Sequence, residues 1–192
     1  MIALAIVLSY LLGSMPTGLW LGLRIRGVDI RQSGSHNIGA TNTFRVLGKG
    51  LGAAALVGDI LKGVIPVLLI ARLSGWEHAP LACGLAAILG HVTSPFVRFR
   101  GGKGVATSTG VFLSLAPIPT LIAAAAFLLV FLATRMVSAS SIVAAVVLST
   151  LMLALPGYDP MLRILTVIVA LLVLFRHHSN IRRILTGTEN RL

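Results

Sequence analysis

Apolar residues in this chain gather into long runs instead of alternating with polar ones. The runs cover roughly 2–23, 50–73, 79–97, 104–116, 118–134, 138–155 and 160–176, separated by short polar or Pro/Gly breaks. A bilayer core of about 30 Å takes about 20 helical residues, so most of these runs predict membrane-crossing helices. The first run continues through Gly13 and Pro16 without a basic leader and reads as the first span, not a cleavable signal. Pro117 and Pro119 divide the stretch after Val105. Proline breaks or kinks a helix interior, which leaves 104–116 as one short span.

Composition strengthens this reading. Of 192 residues, 56% are hydrophobic and 11% charged. A soluble domain carries about a quarter charged residues, and a disordered chain lacks this apolar content. The 16 Lys and Arg outnumber 5 Asp and Glu. In a soluble protein such an excess suggests nucleic acid; here it fits a loop bias, anionic lipid or a phosphorylated substrate, with no nucleic-acid partner. All the cations but Lys62, Arg72 and Arg163 lie in 24–49, 98–103, 135 and 176–192. Positive-inside logic puts these four segments in the cytoplasm. The expected fold is an all-α integral membrane protein: a seven-transmembrane helix bundle, N-terminus outside, C-terminus cytoplasmic, with one short span. No repeat or linker divides it, so 1–192 is expected to be a single domain. Arg72 and Arg163 lie near outer helix ends, where long side chains snorkel.

Three polar clusters carry candidate chemistry. In 33–45, small residues let backbone N–H groups turn toward one point. Ser33, Gly34, Ser35, His36, Asn37, Gly39, Thr41 and Asn42 add neutral donors and room, and Arg45 adds a forked cation. That mixture suits phosphate oxygens. The alternative is a solvated loop with a helix cap. In 98–107, Gly101, Gly102 and Gly104 surround Lys103 at the opening of a helix. Gly104 stands where a Walker A loop needs Ser or Thr, so nucleotide hydrolysis is disfavoured. The alternative here is a flexible basic loop against anionic lipid. In 176–189, His177 and Asn180 are three apart and share a face if helical, beside a polybasic tail. The histidines have no nearby carboxylate ligand, and Cys83 stands alone in an apolar run, so neither a metal nor another cofactor is expected.

Within the apolar runs, Asp59 and Lys62 are spaced i, i+3 and are expected to pair as architecture. His91 is expected to be structural or to support a residue that touches the substrate. Ser141 is expected near the substrate, with an N-cap role open for Ser138, Ser140 or Ser141. By the expected topology all three clusters face one cytoplasmic surface, which points to two phosphate-bearing ligands or one ligand with two phosphates.

The strings SGSHNIGATNTFR (33–45), GDILKG (58–63), GGKGVAT (101–107) and RHHSNIRRILTGTE (176–189) resemble the bacterial acyl-phosphate:glycerol-3-phosphate acyltransferases, the PlsY family. The resemblance runs from the first helix to the C-terminus. It implies an inner-membrane enzyme using acyl phosphate and glycerol 3-phosphate to make lysophosphatidic acid, in the first acylation step of phospholipid synthesis. No histidine here has Asp five residues later, unlike the His-x4-Asp acyltransferases. Catalytic roles are expected for Ser35, Arg45, Lys103, His177 and Asn180. Ser35, Thr41 and Asn42 would hold the donor phosphate; Arg45, Lys103, His177 and Asn180 would hold glycerol 3-phosphate, helped by Ser141. The donor's own phosphate is the expected proton acceptor, with His177 and His36 as alternatives. The expected partners are the two substrates and membrane lipid, and the protein is expected to be a monomer. Two other readings remain at this point: a phosphate or organophosphate transporter, and a lipid-headgroup scaffold without chemistry.

Overall fold

A computed structural model describes all residues, Met1–Leu192. The regular structure is helical throughout. Ten α-helices follow in order: α1 (Ile2–Ser14), α2 (Thr17–Leu21), α3 (Ala40–Leu47), α4 (Lys49–Leu68), α5 (Ala79–Val92), α6 (Val105–Leu115), α7 (Pro117–Thr134), α8 (Val137–Ala154), α9 (Pro160–Arg176) and α10 (His178–Leu185). Four helical stretches are long and apolar enough to cross a membrane. Counting each of two bent pairs as one span gives six, and α6 is a shorter apolar helix. The chain divides into two compact units, Met1–Leu115 and Ala116–Leu192.

In the first unit, the single helix expected over 2–23 is broken. Pro16 has no N–H to give and forces Met15 into an extended conformation (ψ 117°). The two halves meet at a bend of 48°, and a π-turn (Gly22–Arg26) extends the second half. The break is held from outside. Lys62 Nζ on α4 donates to the Met15 carbonyl (2.8 Å) and pairs with Asp59 (2.8 Å), both side chains buried. The expected pair therefore forms, and it also ties α4 to the break. Ser94 Oγ donates to the Ser14 carbonyl (2.6 Å), and Tyr10 Oη donates to the Thr93 carbonyl (2.7 Å), fastening α1 to the end of α5. Gly13 lies against the Ala87 backbone and Gly63 against the Thr107 carbonyl, so α1–α5 and α4–α6 approach at backbone distance. Small residues serve this purpose where lipid supplies no hydrophobic drive between helices. Cys83 is buried in this unit, packed with Ala5, Ala71 and Ala79.

In the second unit, α7, α8 and α9 form an antiparallel succession closed by the short amphipathic α10. Arg163, expected to snorkel, instead caps α8, donating to the carbonyls of Leu153 (3.1 Å), Leu155 (2.8 Å) and Tyr158 (3.1 Å). Asp159 caps α9 by accepting from the Met161 and Leu162 amides. The N-cap expected among Ser138, Ser140 and Ser141 falls on Met136 instead. Ser140 and Ser141 turn back onto the carbonyls of Met136 and Val137. The tail is fastened: the Leu192 N–H donates to the Arg135 carbonyl (2.9 Å) at the α7–α8 turn.

Candidate active site

The loop before α3 is built around Asn42. Its side chain is buried and reaches back across the loop. Oδ1 accepts from the Ser35 N–H (2.8 Å), while Nδ2 faces the carbonyls of Ile30 (2.7 Å), Asn37 (2.9 Å) and Ser33 (3.2 Å). Asn42, expected to face a phosphate directly, is thus the internal clamp of the loop. Gly34 is left-handed (φ 65°), and a side chain there would run into the Asn42 amide. Asn37 Oδ1 accepts from the Gly39 N–H (3.0 Å), and Gly39 stands at the N-cap of α3. The clamp leaves Ser33 and Ser35 exposed and Thr41 half-buried in the first turn of α3. First-turn amides and the helix dipole favour an anion at this end. Arg45 is half-buried one turn further along α3. The His36 ring turns away, its Nδ1 against the Arg31 carbonyl (2.9 Å).

The glycine–lysine turn is pressed onto the end of α5. The Gly101 and Gly102 N–H groups donate to the carbonyls of Val92 (3.1 Å) and His91 (3.0 Å). A side chain on Gly102 would collide with the His91 imidazole. These glycines therefore admit close approach by the protein itself, with the His91 ring packed against Gly102. Lys103 follows, half-buried, and left-handed Gly104 (φ 85°) leads into α6. Arg45, Gly101, Gly102, Lys103 and His91 all have interaction partners within the protein.

In the second unit, His177 lies at the junction of α9 and α10, where the chain bends by 59°. One continuous helix face for His177 and Asn180 is therefore corrected to a bend, although both side chains are buried. His177 Nδ1 lies 2.7 Å from the Val173 carbonyl. A carbonyl only accepts, so Nδ1 carries a proton and donates it to Val173. Asn180 Nδ2 donates to Glu189 Oε1 (2.7 Å), which also accepts from Ser138 Oγ (2.8 Å); Arg183 Nε donates to Oε2 (2.8 Å). Burial pushes the Glu189 carboxyl up, but hydrogen bonds from Asn180, Ser138 and Arg183 outweigh it and hold it below the usual carboxylate range. Glu189 was not among the expected site residues. Its signal was a lone acid in an otherwise basic tail.

Apolar helices, a clamped donor-rich loop and a glycine–lysine turn are the features of a helical membrane protein. The glycerol-3-phosphate acyltransferase family model matches residues 3–187, and the chain belongs to that family. It is an acyltransferase. Glycerol-3-phosphate acyltransferases of Geotalea daltonii and Trichlorobacter lovleyi are similar to it: 50% identical over 96% of this chain and 94% of that relative, and 49% over 95% and 93%. That of Fusobacterium nucleatum subsp. nucleatum is 48% identical over 97% and 95%. The crystal structure of PlsY (YgiH), an integral membrane glycerol 3-phosphate acyltransferase, in its glycerol 3-phosphate form superposes with a TM-score of 0.91 at 38% identity, covering 100% of this chain and 95% of that one. Its lysophosphatidic acid form gives 0.89 at 37% identity, with the same coverage.

Proposed function

We propose that this chain transfers an acyl group from acyl phosphate to glycerol 3-phosphate, giving 1-acyl-glycerol 3-phosphate (lysophosphatidic acid) and inorganic phosphate. The reaction is the first acylation of bacterial phospholipid synthesis. The glycerol hydroxyl oxygen attacks the acyl carbonyl carbon. The bond from that carbon to the phosphate oxygen breaks, and phosphate leaves with its electron pair. The hydroxyl proton passes to a donor phosphate oxygen. An acyl phosphate is a mixed anhydride with a good leaving group, so the protein mainly holds two phosphates and orients the hydroxyl. Fixed donors also stabilise charge on the carbonyl oxygen and the departing phosphate.

The observation that carries this reading is the Asn42 clamp, which holds the Ser35 N–H while leaving the Ser35 side chain exposed and Thr41 half-buried at the start of α3. Ser35 and Thr41 take the donor phosphate, with Asn42 acting through the loop it holds and Ser33, Gly34, Asn37 and Gly39 shaping that loop. Arg45, Lys103, His177 and Asn180 take glycerol 3-phosphate, with Ser141 as a helper. Gly101, Gly102 and Gly104 place Lys103. His36 stands at the edge of the loop. A His177 isostere that cannot accept a proton distinguishes the two proton routes. Loss of the chemical step with intact glycerol 3-phosphate binding overturns the phosphate route and gives the role to His177.

The whole chain works as one functional domain and as a monomer among membrane lipids. It has seven spans in the inner membrane, its N-terminus outside, and its C-terminus and site toward the cytoplasm. Transport would need charges open to a path through the membrane, whereas Asp59 and Lys62 neutralise each other. The deciding assay is inorganic phosphate release from acyl phosphate by the purified protein, with and without glycerol 3-phosphate. Release that depends on glycerol 3-phosphate and matches lysophosphatidic acid formed supports the reading; release without it, or none, overturns it.

A further inference from the structure

A cavity of about 690 Å³ lies in the first unit between the loop at 29–38 and the turn at 96–100. Asp29, Arg31, Gln32, His36, Arg98 and Arg100 form its polar wall, and Phe96 an apolar side. Arg45 and Lys103 do not line it. Asp29 is its one acid and is already matched, held by Arg31 at 2.6 Å, which keeps the Asp29 carboxyl below its usual range. Arg98 and Arg100 pair with no carboxylate, so the cavity carries two uncompensated guanidinium groups.

The local backbone preserves this arrangement. Arg98 and Phe99 are consecutive left-handed residues (φ 54° and 60°), a conformation that disfavours side chains. The turn is closed by the Phe99 N–H donating to the Ser94 carbonyl (2.8 Å). Its product is an arginine on the cavity beside a phenylalanine that is 67% exposed. The apolar side continues outward. Phe96 meets Trp20 edge-on with ring centres 5.4 Å apart, and the Arg24 guanidinium lies 5.6 Å from the Trp20 ring. Leu23 and Ile25, beyond Trp20, are exposed. Aromatic rings interleaved with cations at the end of an apolar helix mark a membrane–water boundary.

We propose that this cavity binds the phosphate headgroup of an anionic membrane phospholipid. Arg98 and Arg100 hold the phosphate, and Phe96 and Phe99 lie along the first carbons of the chains. A soluble anion would satisfy the guanidinium groups but leave the rings exposed to water, so the joined chemistry favours lipid. The proposal is independent of the acylation reading.

Trp20 reports on the site. The chain has two tryptophans, so Trp76→Phe leaves Trp20 alone. The protein is reconstituted in neutral phosphatidylcholine vesicles doped with brominated phosphatidylglycerol or, at equal mole fraction, brominated phosphatidylcholine. Two arginines predict at least about a tenfold preference for the anionic lipid in association beside Trp20, weakening as salt is raised. R98Q/R100Q should cut the preference to the part that Arg24 and Arg26 sustain, and R98K/R100K should keep more of it. Equal quenching by both lipids in the parent protein, or an undiminished preference in R98Q/R100Q, overturns the proposal. So does displacement by inorganic phosphate beyond chloride at the same ionic strength, which would make the cavity a soluble-anion site. The R98K/R100K variant, which keeps both charges, separates loss of the site from loss of the fold: a preference that R98Q/R100Q and R98K/R100K lose equally overturns the proposal.

Discussion

Asn180 donates to Glu189 across 2.7 Å, and the same carboxylate receives Ser138 from the start of α8 and Arg183 from α10. One acid near the chain end thus fixes the orientation of an amide proposed to bind substrate. The Asn180 Nδ2 is thereby committed to Glu189.

The clamp should be sensitive to acid. The Glu189 carboxyl is depressed in the folded protein, so its stabilisation is full above the ordinary glutamate range and is lost as pH falls through the lowered value. Hydrogen bonds to a charged group contribute about 1.5–3 kcal/mol each, so Glu189→Gln should loosen the tail. A fluorophore at the C-terminus should report an acid release in the parent protein. The variant should be mobile across the whole range, without an acid step.

Asn42→Asp replaces a donor with an oxygen facing the carbonyls of Ile30, Ser33 and Asn37. The loop should open, protease should cut within 30–40, and turnover should fall at least about 100-fold, equivalent to ~2.7 kcal/mol. Ser35→Ala keeps the main-chain N–H that Asn42 holds. It should lower turnover while the loop stays protease-resistant.

Gly102→Ala forces a methyl group into the His91 ring. Overpacking of this kind costs about 1–3 kcal/mol and should shift Lys103, raising KM for glycerol 3-phosphate. Adding His91→Ala makes room. The double variant should recover part of both stability and KM, with a coupling energy of about 0.5–3 kcal/mol in a double-mutant cycle.

Lys62→Met leaves Asp59 buried without its counter-charge. Breaking a buried pair from one side costs about 3–5 kcal/mol, so thermal unfolding in detergent should shift strongly downward. Asp59→Asn with Lys62→Met removes both charges and should recover much of the loss. The remainder measures the bond from Lys62 to the Met15 carbonyl.

The apolar runs were legible because lipid-facing helices need no alternation, and each run contains a helix that starts or stops within a few residues of the expected bound. The Asp59–Lys62 pair was legible because three residues is nearly one helical turn. Other features turned on competition that local pattern does not record. The run through Pro16 is apolar on both sides, so hydropathy passes over a break that proline stereochemistry imposes. The bend at His177 lies inside a polar stretch with no proline or glycine to announce it. Asn42 was legible as a polar residue in a donor-rich loop, but whether its amide faces a ligand or the loop depends on carbonyls five to twelve residues upstream. Glu189 acts on Ser138 from 51 residues away, a distance that motif spacing does not span.

The bond from Lys62 to Met15 also bears on biogenesis. α1 has 13 residues, which at 1.5 Å per residue reaches only about two-thirds of the way through the hydrocarbon. The carbonyl of its C-cap residue, Met15, is met by an ammonium group from a later segment. The smallest unit in which both the short helix and the ammonium are satisfied is therefore a two-segment hairpin. Co-translational integration should commit α1 durably only after the ribosome has released Lys62, making the nascent amino-terminal segment dependent on sequence nearly fifty residues downstream.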